Sequence, residues 1–360
     1  MNPKSILNLF SILVLFFSLS FIFPIIVSLF FDDGALFLFL KTLISILIVG
    51  LIGLFITRNV KSELSQKDGF VIIVMFWIVL SFAGAVPFFL NGMTIIDSIF
   101  ESMSGITTTG ATVISNLDNL PESILFYRQL LQWMGGMGLI VLAIAVMPLL
   151  GIGGGQIYKT EVPGAMGEQR LTPRIKETAQ ALWIIYLGLT LVCGFLYYIN
   201  GMSAFDAISH AMSTVAIGGF STHDESIGFF NSISIELICM TFMLLSAFSF
   251  ALHYFALYKK RPLKYIFDPE FRFFLTFILL IFLIAMIISL FTNDSSSPSF
   301  RELSFHTVSM VSTTGFSIGE SSEWPFSISF LLLIGAFVGA CSGSVGGGVK
   351  SGRVMIMLNH

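Results

Sequence analysis

The chain has 360 residues, of which 55% are hydrophobic and 11% are charged, and its mean hydropathy is +0.91. A soluble domain usually carries about 25% charged residues, so this composition excludes a soluble globular protein and indicates a chain that crosses the membrane several times. The net charge of −3 decides little by itself, whereas the distribution of the charges along the chain is informative.

Apolar runs of bilayer length follow one another from the N-terminus onward. A membrane span needs about 20 mostly apolar residues. The predicted spans are 6–31, 35–57, 69–90, 125–150, 179–200, 232–257, 273–292 and 326–341, and the last one resumes after a break. The first run is too long for a signal peptide and has no A-x-A-like site before Asp32, so we predict an uncleaved span. The three cysteines lie within apolar runs and form no CxxC pair, which predicts reduced, structural thiols at Cys193, Cys239 and Cys341.

The positive charges predict how the chain is oriented in the membrane. With the N-terminus in the cytoplasm, all of the 18 Lys and Arg residues except Lys41, Arg128 and Arg301 fall on the cytoplasmic side. Most of the 21 acidic residues then fall on the outer side. An acidic outer mouth would concentrate cations before they enter a pore. The alternative is that the outer loops are simply solvated.

Three segments of the chain repeat one another without a gap: ESMSGITTTGAT at 101–112, HAMSTVAIGGFS at 210–221 and HTVSMVSTTGFS at 306–317. Each segment leads through small and hydroxyl residues into a glycine, and each lies between two apolar runs. The predicted organisation is a two-helix hairpin followed by three units of span, short helix, loop and span, at 1–57, 69–150, 179–257 and 273–360. The short helices, at 96–106, 205–215 and 300–311, are too short to cross the bilayer.

Small, polar, glycine-containing segments between spans are what a re-entrant pore loop requires. Their backbone carbonyls can replace the hydration shell of an ion, and glycine permits the dihedral angles that aim them inward. A half-span helix whose C-terminal end points to the membrane centre also presents partial negative charge to a cation there. We therefore predict an ion-conducting pore built from internal repeats. The alternative is a re-entrant structural hairpin that binds no ion.

The loop motifs and several further runs, in this order and spacing, resemble the TrkH/KtrB family of bacterial potassium-uptake subunits, most closely its TrkH branch. The further runs are QWMGGMGLI at 132–140, EVPG at 161–164 and GSVGGGVK at 343–350. The resemblance covers the chain from about residue 60 to the end. It implies an all-α, multi-pass protein of the bacterial inner membrane, with span–pore helix–filter loop–span units in a pseudo-fourfold, potassium-channel-like arrangement. Three of the four units are present in this sequence.

The resemblance also implies a potassium filter with one central glycine in each loop, namely Gly110, Gly219 and Gly315. The flanking carbonyls are expected from Thr108 and Thr109, from Ile217 and Gly218, and from Thr313 and Thr314. Potassium is then the transported ion, bound at these residues, and no cofactor is expected. Glycine rather than serine at position 110 favours potassium over sodium.

A gate is implied where the last span breaks into a glycine-rich run. Non-helical backbone at membrane depth is tolerated only against protein or a water-filled cavity. The expected gate residues are Gly343, Ser344, Gly346, Gly347, Gly348 and Lys350, and the alternative is a glycine-rich helix-packing face. The family further implies a homodimer and a cytoplasmic, nucleotide-binding regulatory subunit similar to TrkA, docked on the basic inner loops. No nucleic acid is expected as a partner.

Other motif matches fail on spacing or context. Val349 lies between Gly348 and Lys350 and breaks the spacing of a phosphate-binding loop, and the glycine run at 151–156 has Gln at its last position and no flanking strand. Glu101, His210 and His306 share one repeat position; a metal site is conceivable there, but pseudo-symmetry places them apart, so polar contacts at the helix ends are expected. The sequence contains no catalytic constellation, and we predict that the chain is not an enzyme.

The fourth unit of the family pattern is not in the 360 residues, and three loops do not close a four-sided filter. We therefore expect either a piece of a longer product or a truncated chain that does not conduct alone. The predicted function is potassium uptake across the cytoplasmic membrane. The alternatives are a non-conducting membrane scaffold or regulatory subunit and, third, a sodium-selective relative. The sequence leaves open channel-like transport versus symport with Na⁺ or H⁺, the oligomeric state and the regulatory nucleotide.

Overall fold

A computed structural model describes residues 3–58, 66–138, 175–292, 297–320 and 322–358, and these residues contain helices and loops but no β-strand. In chain order the helices are α1 (Pro3–Leu19), α2 (Ile22–Phe31), α3 (Leu36–Thr57), α4 (Gln66–Leu90), α5 (Ile95–Ile106), α6 (Glu122–Trp133), α7 (Ile175–Ile199), α8 (Ala204–Val215), α9 (Ile233–Ala247), α10 (Phe250–Leu257), α11 (Lys264–Phe267), α12 (Pro269–Thr292), α13 (Phe300–Val311), α14 (Phe326–Val338) and α15 (Ser351–Leu358). A π-helical turn, Met134–Gly138, continues α6.

Long apolar helices agree with the predicted multi-pass protein. Within the described parts of the chain, the segments long and apolar enough to cross a membrane are Pro3–Phe31, Leu36–Thr57, Gln180–Ile199 and Pro269–Thr292. The span predicted at 232–257 is not one straight helix, because α9 and α10 meet at a bend of 97°. Two further apolar helices are shorter, Val74–Leu90 and Phe326–Val338.

The N-terminal hairpin packs on the first repeat through both apolar and polar contacts. Phe21, Phe39 and Phe88 surround the ring of Tyr127, and all four side chains are fully buried. The Asp33 carboxylate accepts hydrogen bonds from the backbone N–H of Ser123 at 2.8 Å and of Ala35 at 3.0 Å. Helix α6 follows Pro121, which offers no side-chain cap. Asp33 therefore supplies, from a distant loop, the acceptor that a helix N-terminus needs.

Three short helices begin in the same way and define the repeat. Helices α5, α8 and α13 each have 12 residues, and their N-caps are Thr94, Ser203 and Ser299. Each N-cap hydroxyl accepts a hydrogen bond from the backbone of an acidic residue three positions later, at 3.0–3.3 Å. Ser299 and Glu302 form a complete capping box. Because Ser or Thr followed by Asp or Glu satisfies the free N–H groups of a helix start, all three helices begin at a fixed distance from their glycine.

Each repeat buries its short helix beneath the apolar helices and leaves large apolar residues on the outside. The buried apolar residues form three clusters, one within α1–α6, one mainly within α7–α10 and one mainly from α12 onward, and the last two share residues across their boundary. Exposed Phe and Leu side chains line the outer faces, and Phe30, Phe291 and Phe326 are each more than 80% exposed. Such surfaces are expected where lipid rather than water surrounds the protein. The end of the predicted span 125–150, the run at 151–156 and the EVPG run at 161–164 lie outside the described residues.

Candidate functional site

The three glycine loops share one backbone conformation. Gly110, Gly219 and Gly315 have φ of 78°, 81° and 88°. Two positions earlier, Thr108, Ile217 and Thr313 have φ of 54°, 54° and 69°. Positive φ is a genuine outlier for a β-branched residue and costs of order 1–3 kcal/mol, so it persists only where the surroundings impose it. Its recurrence at one position in three loops indicates a common, imposed geometry.

Each loop leaves its short helix through the same hydrogen bonds. The N–H groups of Thr109, Gly218 and Thr314 donate to the carbonyls of Ser104, Ser213 and Ser309 at 2.8–2.9 Å. In loops 1 and 3 the hydroxyls of Ser104 and Ser309 also donate to the carbonyls of Ala111 and Phe316, at 2.5 and 2.7 Å. These bonds fold each loop back along its helix and present the segment before the glycine at the helix C-terminal end.

The loops meet at the predicted filter residues. A β-carbon added to Gly110 would overlap the carbonyl oxygen of Gly218, and one added to Gly219 would overlap that of Thr314. The Thr314 oxygen also lies 3.5 Å from the position of the β-carbon on Gly110. The contact therefore follows one rule, in which the glycine of one loop abuts the carbonyl one position before the glycine of the next. The structure brings the predicted glycines of loops 1 and 2 against predicted carbonyls.

The rule is not fulfilled at loop 3. No described atom lies within 4 Å of a β-carbon added to Gly315, although its φ matches the other two glycines. Among the described residues, the space beside Gly315 is therefore open, whereas Gly110 and Gly219 each abut a carbonyl of another loop.

The shared repeat position on the short helices, at Glu101, His210 and His306, carries side chains that hold the segment leaving each loop. Glu101 accepts hydrogen bonds from the Thr112 hydroxyl and the Val113 N–H. His210 bonds the Ser221 hydroxyl at 2.9 Å, and His306 bonds the Ile318 carbonyl at 2.9 Å. Among the described His, Cys, Asp and Glu residues, no three lie close enough together to hold a metal ion. These contacts lie in mid-helix rather than at helix ends, where the sequence had predicted them.

Arg128 joins loops 1 and 2 behind the glycines. Its guanidinium is fully buried and donates to Glu101 at 2.8 Å, to the Thr112 hydroxyl at 3.1 Å and to the Ser221 carbonyl at 3.0 Å. It also lies 4.3 Å over the ring of Phe220. A buried charge is tolerated when paired and hydrogen-bonded, and removal of one partner of such a pair costs roughly 3–5 kcal/mol. The sequence placed Arg128 only at the edge of an outer loop.

An acidic hollow lies on the outer side of the loops. It has a volume of about 570 Å³, and its lining includes Asp224, Glu225, Glu302, Glu320, Arg301 and Glu236. Arg301 pairs with Glu236 at 2.5 Å. The hollow agrees with the predicted acidic outer mouth, and an acidic lining of this kind attracts cations.

His223 links two repeats at this outer mouth. Its Nδ1 lies 2.5 Å from Asp118, which follows loop 1, and its Nε2 lies 3.4 Å from Asp206 in α8. The ring stacks on Phe229. Burial by itself lowers the pKa of His223, but the hydrogen bonds and charges of Asp206 and Asp118 outweigh it, so the pKa is raised.

The predicted gate residues form an irregular segment, 339–350, directly below loop 3. The N–H of Gly347 donates to the Thr313 hydroxyl at 2.7 Å, and a β-carbon on Gly346 would lie 3.0 Å from the Ser312 carbonyl. The Cys341 N–H donates to the Ala247 carbonyl, and the Gly343 carbonyl accepts from Phe250, both at 3.0 Å. The bend between α9 and α10 frees these backbone groups. The irregular segment therefore supplies hydrogen-bond partners for the backbone groups of the broken helix, and its own backbone groups are bonded in return.

Two charged side chains hold the gate segment. The Glu270 carboxylate accepts from the N–H groups of Ser342 and Gly352, at 2.6 and 2.8 Å, and from the Ser351 hydroxyl at 3.0 Å. It thereby caps the N-terminus of α15. The Lys350 ammonium donates to the carbonyls of Ser344 and Gly346. Each end of the segment is tied by a charge-assisted hydrogen bond, the stronger kind.

A cavity of about 320 Å³ separates the loops from the gate segment. Its lining includes Thr107, Thr108, Thr109, Thr313, Val345 and Gly347. Loop 1, loop 3 and the gate segment thus face one partly open space, which a hydrated cation can occupy by size. The structure places the predicted filter and gate residues next to each other.

Sequence reasoning missed the supports of the loops. Gln132 and Glu270 were not singled out, although each is a polar residue in or next to an apolar helix. The capping pairs of the short helices were also missed. Their signal was available, because Thr94, Ser203 and Ser299 all lie at the same distance before the repeat glycine.

Comparisons with known proteins identify relatives over the whole chain. Residues 35–360 match the model of the TrkH family, described as a cation transport protein. The chain is 47% identical to the Trk system potassium uptake protein TrkH of Halomonas elongata and 45% identical to that of Escherichia coli K12. Both alignments cover 100% of this chain and 76% of the relative.

A solved structure agrees with the fold. The crystal structure of the potassium transporter TrkH from Vibrio parahaemolyticus superimposes with a TM-score of 0.87 and 44% sequence identity, over 99% of this chain and 75% of that one. These relatives are integral membrane transporters, which confirms the predictions that the chain is a multi-pass membrane protein and not an enzyme. The chain belongs to the TrkH family of cation transport proteins.

Proposed function

We propose that the chain takes part in potassium uptake across the bacterial inner membrane, with the three glycine loops forming sides of the ion filter. The observation that carries the proposal is the convergence of the loops, in which Gly110 and Gly219 abut the carbonyls of Gly218 and Thr314. Backbone carbonyls that face a common point can replace the hydration shell of potassium. The relatives named for potassium uptake support the choice of ion.

In this proposal the ion is coordinated by the residues before and at each glycine. They are Thr108, Thr109 and Gly110 in loop 1, Ile217, Gly218 and Gly219 in loop 2, and Thr313, Thr314 and Gly315 in loop 3. A further loop of the same kind, beside Gly315, would complete a pseudo-fourfold ring. The open side at Gly315 and the cyclic contact rule of the other loops support this arrangement.

The irregular segment below the filter is then the gate. The Gly347 N–H contacts the Thr313 hydroxyl from below, so the segment obstructs the space through which an ion would leave the cavity. Its contacts with Glu270 and Lys350 are hydrogen bonds, and in this proposal they lie on the cytoplasmic side of the segment. A cytoplasmic regulatory subunit similar to TrkA, acting on a dimer, is the proposed source of the signal that moves it.

The test is the uptake of rubidium and sodium by cells that lack other potassium uptake, with Gly110→Ser compared with the unaltered chain. A serine β-carbon overlaps the Gly218 carbonyl and requires a positive φ, so it displaces a candidate ligand of the ion. We expect rubidium uptake to fall or sodium uptake to rise. Unchanged uptake and unchanged preference, with normal amounts of protein in the membrane, would refute the filter.

A second candidate function is a non-conducting scaffold or regulatory subunit. The open space beside Gly315 favours it, because no described atom lies within 4 Å of a β-carbon added to that glycine. It predicts no flux from the 360-residue chain and a changed flux or assembly of an intact relative on co-expression. Flux from the chain alone excludes this candidate.

A further inference from the structure

Helix α6 differs from its counterparts in the other repeats. It carries Arg128, Gln129 and Gln132, and all three side chains are fully buried. Counted from the first residue of each helix, the position of Gln132 is Met243 in α9 and Ala336 in α14. A buried amide side chain is costly unless its hydrogen bonds are made, so its partners indicate what it does.

All the partners of Gln132 belong to loop 2 and its short helix. Its Nε2 donates to the Gly218 carbonyl at 2.7 Å. Its Oε1 accepts from the Ser213 hydroxyl at 2.7 Å and from the Phe220 N–H at 3.1 Å. A backbone N–H can only donate, so the Phe220 contact fixes which end of the amide is oxygen. The amide therefore bridges the residues on both sides of Gly219.

Among the residues that the structure describes, no side-chain amide bridges loop 1 or loop 3 in this way. There, the hydroxyls of Ser104 and Ser309 reach the carbonyl that follows the glycine directly. Ser213 occupies the same repeat position but gives its hydrogen to Gln132 instead. The space for the amide exists because residue 218 is glycine, since a β-carbon there would overlap the Gln132 side chain. The pairing of Gln132 with Gly218 is thus specific to this loop.

Two neighbours on α6 extend the same contact. Gln129 lies 3.3 Å from the Phe220 carbonyl through its Nε2, and Arg128 donates to the Ser221 carbonyl at 3.0 Å. Three carbonyl acceptors of loop 2, at residues 218, 220 and 221, are therefore held by one helix of the preceding repeat. Of these acceptors, the Gly218 carbonyl also abuts a neighbouring loop, at Gly110.

We propose that Gln132 is a positioning residue of the filter, which fixes the Gly218 carbonyl and thereby sets the preference for potassium over sodium. The inference rests on the proposed function of the loops. A carbonyl oxygen has two lone pairs, so one accepts the Gln132 bond and the other is available to an ion. Selectivity depends on the distance and number of coordinating carbonyls, so a shift of this oxygen changes it.

The test is the ratio of rubidium to sodium uptake in proteoliposomes. They contain the conducting assembly, in which the full chain is present. Gln132→Met keeps the length of the side chain and removes every hydrogen bond. We expect the ratio to fall about tenfold, which corresponds to ~1.4 kcal/mol of preference. Gln180→Met, on an exposed face of α7, makes the same chemical change away from the loops and should leave the ratio unchanged. Ser213→Ala removes only one bond of the amide and should lower the ratio less.

The outcomes separate this inference from the filter itself. If Gly110→Ser alters the ratio and Gln132→Met does not, the positioning role is wrong and the filter stands. If neither alters it, both are wrong. If Gln132→Met does not accumulate in membranes, Ser213→Ala decides: a lowered ratio supports the role, and an unchanged ratio overturns it. A purely structural role predicts less uptake of both ions at a constant ratio.

Discussion

The contact rule between the loops predicts that two equivalent glycines tolerate alanine differently. Gly219 and Gly315 have φ of 81° and 88°, and a residue with a β-carbon pays roughly 1–2 kcal/mol for such a conformation. At Gly219 alone, the added methyl overlaps the Thr314 carbonyl, and overpacking of this kind costs about 1–3 kcal/mol more. In the 360-residue chain we expect Gly219→Ala to lose about 2–5 kcal/mol of stability and Gly315→Ala about 1–2 kcal/mol.

The assay is thermal unfolding of the purified chain in one detergent at one scan rate, because membrane proteins often unfold irreversibly and the midpoint then depends on the rate. Gly188→Ala serves as the control, since Gly188 lies within a helix with a negative φ and open space around it. Equal losses at Gly219 and Gly315 would refute the reasoning. Such a result would mean that a further segment packs on Gly315, or that the loops do not abut as described.

Two further predictions concern the gate and the outer mouth. Glu270→Ala removes the acceptor of three hydrogen bonds that hold the gate segment, each worth about 1.5–3 kcal/mol when the acceptor is charged. We expect a higher basal uptake of rubidium and a lower unfolding temperature, with Glu270→Gln intermediate; basal uptake that does not change in either variant would contradict a holding role. His223 has a raised pKa, so its pairing with Asp118 and Asp206 contributes fully below its ordinary pKa of 6.5 and is lost as pH rises through the raised value. Thermal stability of the chain should therefore fall over that pH range, and His223→Gln should flatten the fall; an equally steep profile in the variant would exclude His223 as its origin.

The loops and the gate segment were predictable because they interrupt apolar runs. A glycine preceded by Ser and Thr between two spans has few other uses, and the repetition at 101–112, 210–221 and 306–317 fixes the register of each copy. The lengths of the short helices follow from the same register. Their starts follow from the N-caps, which depend on residues only three positions apart.

The supports behind the loops were not predictable, because they connect residues far apart in the chain. Gln132 and Gly218 are 86 positions apart, and Asp33 and Ser123 are 90 positions apart. No local pattern distinguishes a glutamine that bridges a neighbouring loop from one that packs within its own repeat. The 97° bend between α9 and α10 has the same origin, since the gate segment satisfies the backbone groups that the bend frees.

The three loops share one backbone but rely on different side chains, and this combination has a physical reason. In the proposed filter, an ion at the centre requires the carbonyls of every loop to lie at similar distances, which explains why the positive φ values of Thr108, Ile217 and Thr313 coincide. The space behind each loop carries no such requirement. Loop 1 is held by the Glu101–Arg128 pair, loop 2 by Gln132 and loop 3 by His306 and the gate segment. Because one polypeptide supplies all three, each support can change alone, and the contact at Thr313 connects loop 3 directly to the irregular segment.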